Sequence, residues 1–129
     1  MDKTVSGFDW VKARSECSLA KVFQTLRLQV EADVATRKAL RTEGVPFTFG
    51  TAANGHTFSV FVDGNQLYRT VKFGLTDKAI CVYGDDDRLL FEGRVTLSDD
   101  GECRLRVGEK ELELWQFRRD ALEELFFNL

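Results

Sequence analysis

After Pro46 the apolar residues recur at every second position, and they keep that period almost to Trp115. A period of two is that of strands with one buried face. Turn-forming residues interrupt the alternation again and again: Asn54-Gly55, Asp63-Gly64-Asn65, Thr76-Asp77-Lys78, Gly84-Asp85-Asp86-Asp87, Ser98-Asp99-Asp100-Gly101 and Gly108-Glu109. No stretch between them has room for a crossover helix. Short connections force antiparallel neighbours, so the region from about 46 to 115 is expected to be an antiparallel meander of about six to seven strands. Asn54-Gly55 is read as the two central residues of a type I′ hairpin turn. A row of twisted strands this long curls, and it needs something to curl around.

That filler lies upstream. At about 100° per residue, Leu19, Val22, Phe23, Leu26, Val30 and Val34 fall on one line of a helix over Ser18–Arg41, with Leu40 at its edge. Ser18 is the expected N-cap, and Gly44 with Pro46 the expected stop. A short helix over about Asp9–Glu16 precedes it, and Phe8 and Trp10 are expected to plug the core there. Residues 1–6 are expected to fray. Helical spacing returns over about Gln116–Asn128, with Leu122, Leu125 and Phe126 as the buried stripe and Ala121 beside it. The expectation is therefore one α+β domain over 1–129. A long N-terminal helix (helical region about 9–42) packs on a curved antiparallel meander of six to seven strands (about 46–115), followed by a C-terminal helix (about 116–128). Such a layout resembles a pleckstrin-homology-type barrel, and a long helix gripped by a curved meander resembles cystatin-like and secretion-chaperone-like folds. The resemblance is one of shape and implies no activity.

Composition narrows the function classes. Lys and Arg total 18 against 21 Asp and Glu, a formal net charge of −3. That excludes a general electrostatic grip on nucleic acid, which needs a basic face. The basic cluster Arg37, Lys38 and Arg41 has a simpler reason, because cations complement a helix C-terminus. No apolar run approaches the roughly 20 residues of a membrane span, and no signal-peptide core is present. Cys17, Cys81 and Cys103 are odd in number and widely spaced, so they are expected to be separate core thiols in a reducing, cytoplasmic setting.

The Gly108-Glu109 turn sets Arg106 opposite Glu111 and Arg104 opposite Glu113, with Glu92 and Arg94 extending a salt-bridged outer face. An anion site built from Arg94, Arg104 and Arg106 is the alternative. The run Asp85-Asp86-Asp87 lacks the ligand spacing of a calcium loop, and metal binding is not expected. The lone histidine, His56, is expected at an exposed hairpin tip. No nucleophile motif, phosphate loop or paired-cysteine motif is present, so no catalytic residue, cofactor or metal is assigned.

Three residues break the pattern. Asp33 and Arg37 stand on the apolar line of the long helix, one turn apart. They are expected to form an exposed i,i+4 pair, or else a charged pair facing a ligand cleft or buried inside. Arg69 shares the core parity of Leu67, Val71 and Phe73, and a pairing of Arg69 with Asp33 would account for both anomalies. A second stripe, Leu28, Ala32, Ala35 and Ala39, is either a source of helix propensity or a dimer face. Leu28, Phe61 and Phe127 are apolar residues off the core stripes and stand as partner-contact candidates. The functional expectation is a non-catalytic protein-binding or adaptor module, self-association being its simplest form. The alternative is a small-molecule or lipid carrier with a cavity between long helix and sheet, around Asp33, Arg37 and Arg69.

Overall fold

A computed structural model describes residues 7–40, 48–64 and 66–128. The expected helix stop at Gly44 and Pro46, Arg41, Phe47, Asn65 and residues 1–6 lie outside the described residues. Helices α1 (Trp10–Glu16) and α2 (Leu19–Ala39) precede seven strands: β1 (Thr48–Asn54), β2 (Thr57–Gly64), β3 (Leu67–Leu75), β4 (Ile80–Tyr83), β5 (Leu89–Leu97), β6 (Cys103–Val107) and β7 (Lys110–Leu112). Helix α3 (Leu114–Phe127) follows. The strands form one sheet in chain order, every neighbour antiparallel. The α+β meander read from the alternation is therefore the observed fold.

Ser18 caps α2 as expected, its hydroxyl accepting from Lys21 N at 3.3 Å. Asp9 caps α1 in the same way, accepting from Lys12 N at 3.0 Å. Val22, Phe23, Leu26, Val30 and Val34 are buried against the sheet, whereas Leu40 at the stripe's edge is 65% exposed. Rings fill the space between α2 and the sheet: Phe23 lies 5.1 Å from Phe58, which stacks on Phe73 at 4.7 Å.

Helix α3 shares the same face of the sheet. It begins earlier than the spacing suggested, because Glu113 acts as N-cap in a capping box with Gln116. Its Phe117 is fully buried among Phe73, Phe91 and Leu105. Gly93 on β5 makes that possible, since a Cβ there would stand 2.7 Å from the Phe117 ring.

Several local expectations need correction. The β1–β2 turn is centred on Gly55-His56, one residue later than read, with Asn54 paired to Thr57. Only Gly55 has a positive φ (62°), which fits a II′ turn rather than I′. Phe8 and Trp10 do not plug the core: they are 61% and 64% exposed, and α1 buries none of its residues. The aspartate run, read as a turn, is a 3₁₀ turn tied to β3. Asp85 accepts from Thr70 N and Arg69 Nε, and Asp87 from Lys72 Nζ at 2.8 Å. Asp86 and Asp87 adopt positive φ, which Asp tolerates better than most residues.

The cysteines also depart from the expectation. Cys17 and Cys103 form a disulfide that joins the start of α2 to β6, and Cys81 alone is free. The pairing removes the reason for expecting a reducing compartment.

Candidate functional site

Asp33 and Arg37 share a helix face as their spacing requires, but they do not pair with each other. Helix α3 lies beside α2 here and supplies both partners. Asp33 Oδ2 accepts from Arg118 Nε at 2.6 Å, and Arg118 Nη1 donates to Gln29 Oε1 at 2.6 Å. Arg37 Nε donates to the Phe126 carbonyl at 2.9 Å. That carbonyl belongs to the last turn of α3, where backbone oxygens lack intrahelical donors and a cation complements the dipole. The Arg37 guanidinium also lies 4.7 Å from the Phe49 ring centre and 5.2 Å from that of Phe127. The two charges on the apolar line are thus the clasp between α2 and α3.

Beside this clasp an open groove of about 320 Å³ is lined by residues of the two helices. Leu122 and Phe126 form its buried floor. Leu40 on one wall and Trp115 and Phe127 on the other are 65%, 49% and 65% exposed. Arg119 lies over the Trp115 ring at 5.2 Å and pairs with Asp120 at 3.0 Å. Trp115 and Arg118 also border a second, more polar opening of about 370 Å³ edged by Gln29, Glu102, Arg104 and Glu113. A binding surface draws its energy from apolar area removed from water, so the first groove is the candidate.

Of the residues singled out from sequence, Asp33, Arg37 and Phe127 line this groove and the others lie elsewhere. Arg69 pairs with Asp85 at 2.6 Å, so the proposed Arg69–Asp33 pair does not form. Leu28 is 55% exposed on α2 and is not among the lining residues. Phe61 sits on the outer face of the sheet, stacked on Tyr68 at 6.1 Å. Sequence reasoning missed Trp115 and Arg118 as groove residues. The signal was available in Trp115-x-x-Arg118-Arg119, which helical spacing places on neighbouring turns. It was obscured because Trp115 was read as the end of a strand.

The outer-face charges follow the expected lattice in part. Arg106 stands opposite Glu111 and donates to it at 2.7 Å. Arg104 instead makes a two-pronged bond to Asp100 at 2.7 and 2.8 Å, because Glu113 is taken up as the cap of α3. Those bonds, with that from Glu102 N, hold the Asp100 carboxyl down from 3.8 to about 2.

Two titratable groups on β4 are shifted from their ordinary values. Burial pushes the Cys81 thiol up, and its hydrogen bond to Cys81 raises the Tyr83 phenol. A raised thiol is a poorer nucleophile at neutral pH. His56 is exposed at its turn. Among the described residues, no three His, Cys, Asp or Glu side chains converge as a metal set, and no helix is long and apolar enough to cross a membrane. Comparison of the chain with protein-family models, curated proteins and solved structures finds no match.

Proposed function

We propose that this protein is a non-catalytic binding module that seats a helical segment of a partner protein in the groove between α2 and α3. The observation that carries the reading is the convergence of Leu40, Trp115 and Phe127, each about half exposed or more, on one concave surface. A groove between two helices can accept a third, and apolar residues at helical spacing on the partner would cover the three side chains. Arg37 has no carboxylate partner among the described residues, so it favours an acidic residue at the edge of the incoming segment. The net charge of −3 favours a protein over a nucleic acid. The packed rings beneath α2 leave little room for the chamber that a small-molecule or lipid carrier would need. A cytoplasmic setting would require the Cys17–Cys103 disulfide to persist against reducing thiols. Cys17 is 1% exposed, which limits their access from its side of the bridge, while Cys103 is partly buried.

Selection from a random peptide library against the whole protein tests this reading. Enriched peptides are expected to be amphipathic and to lose roughly tenfold or more in affinity, about 1.4 kcal/mol, on Trp115→Ala or Phe127→Ala. In a Trp10→Phe background, emission from Trp115 should shift to the blue as the peptide binds. Peptides that bind both variants as tightly as the parent protein would refute the reading.

A further inference from the structure

Among the described residues, a second unpartnered surface lies at the edge of β1. The sheet ends on β1 at one side and on β7 at the other. β7 is blunted: it has three residues, two of them charged, and leads straight into α3. β1 has none of these protections. It runs seven residues in unbroken register with β2, and Thr48–Asn54 contains no charged residue and no proline. Long edges without such features are templates for further pairing.

The ladder shows which backbone groups are free. Leu75 N donates to the His56 carbonyl, so even-numbered residues of β2 face β3 and odd-numbered ones face β1. Asn54 and Gly50, opposite Thr57 and Phe61, therefore bond inward. Phe49, Thr51 and Ala53 aim their N–H and C=O groups outward. On the outer face, the Phe61 ring lies across Gly50, where a Cβ would meet it at 2.4 Å. Phe61 stacks on Tyr68, itself 61% exposed, so an apolar strip reaches the edge.

We propose that β1 pairs antiparallel with the β1 of a second copy of this chain, about a two-fold axis through Thr51. The strand is complementary to itself in that register. Thr51 meets Thr51, Phe49 meets Ala53 and Gly50 meets Ala52, with no like charges opposed and about six ladder bonds gained. The Phe61 rings of the two copies flank the axis and extend one apolar strip across it. A foreign strand is the weaker candidate, because strand addition draws specificity from side-chain pockets and this edge offers only small residues.

Sedimentation equilibrium from about 1 to 500 μM, with Thr51→Pro and Thr51→Cys, tests the proposal. Thr51→Pro removes an outward N–H that β2 does not use, and edge strands accept proline. It should weaken the dimer at least about 100-fold while the far-ultraviolet spectrum stays unchanged. Thr51→Cys should oxidise to a covalent dimer, since residues directly opposed across the axis stand about 5.5 Å apart. Ala52→Cys should not, because it faces Gly50. A parent protein that stays monomeric throughout, a dimer that survives Thr51→Pro, or equal cross-linking at 51 and 52 would each overturn the proposal. A dimer lost on Trp115→Ala but not on Thr51→Pro would overturn it too, while leaving the groove as the contact.

Discussion

Replacing Gly93 with alanine probes the contact that fixes α3 on the sheet. The new methyl would stand 2.7 Å from Phe117 Cε1 and 3.3 Å from Leu105 Cβ, against about 3.5–4.0 Å for comfortable carbon contacts. The Phe117 ring would need to retreat by about 1 Å to restore that spacing. It has little room to do so, with Phe91 edge-on at 5.2 Å and Phe73 at 6.5 Å. Overpacking of this kind costs about 1–3 kcal/mol. Alanine returns about 0.5–1 kcal/mol by restricting the unfolded chain. A net loss of about 1–2 kcal/mol is expected, or roughly 4–8 °C in Tm for a chain of this size. Paired urea and thermal melts of Gly93→Ala, Phe117→Leu and the double variant measure it. The smaller ring-free side chain should relieve part of the clash, giving a coupling energy above about 0.5 kcal/mol. A Gly93→Ala protein as stable as the parent, or strict additivity, would refute the account of how α3 is seated.

Asp100 supplies a pH test. Its folded carboxyl titrates near 2 instead of 3.8, so the stability it contributes is complete above about pH 4 and is lost as pH falls toward 2. The Tm difference between parent and Asp100→Asn should shrink across that window; a constant difference would contradict the Arg104 contact. Under denaturing, non-reducing conditions one thiol per chain, Cys81, should react with a maleimide, and three after reduction. Breaking a bridge that spans 86 residues should cost about 2–4 kcal/mol in urea midpoint analysis, and three reactive thiols without reductant would rule the bridge out. Asp33→Ala leaves Arg118, 18% exposed, without its carboxylate. A loss of about 1–2 kcal/mol is expected, with Gln29 retaining part of the contact. An unchanged melt would show that the Asp33–Arg118 half of the α2–α3 clasp contributes nothing.

The parts of this fold legible in the sequence are those written in short periods. The α2 stripe repeats through five buried residues, and β2 alternates along its whole length, so one misread position does little harm. Pairing at a distance was less legible. Arg106 opposite Glu111 could be read because a tight turn counts out the register. Arg69 was matched to Asp33 because both looked buried, yet Asp85, in the turn beside β3, lies nearer to hand. Cys17 and Cys103 are 86 residues apart, and no local pattern reports their meeting. Phe8 and Trp10 were placed in the core by residue type alone, but α1 lies on the outside of the fold. The groove was half legible for the same reason. Asp33 and Arg37 broke a helical stripe and so stood out, whereas Trp115 and Arg118 broke nothing.

The strictly sequential strand order has a kinetic consequence. Every ladder joins segments consecutive along the chain, so each closure spans only one short loop. Zipping can start at the β2–β3 hairpin and spread toward both ends without threading. The demanding search falls to the helices, because α2 must reach β5 and α3 must return to β3. Folding should therefore be fast for a chain so rich in sheet, with docking of the helices as the event that limits its rate.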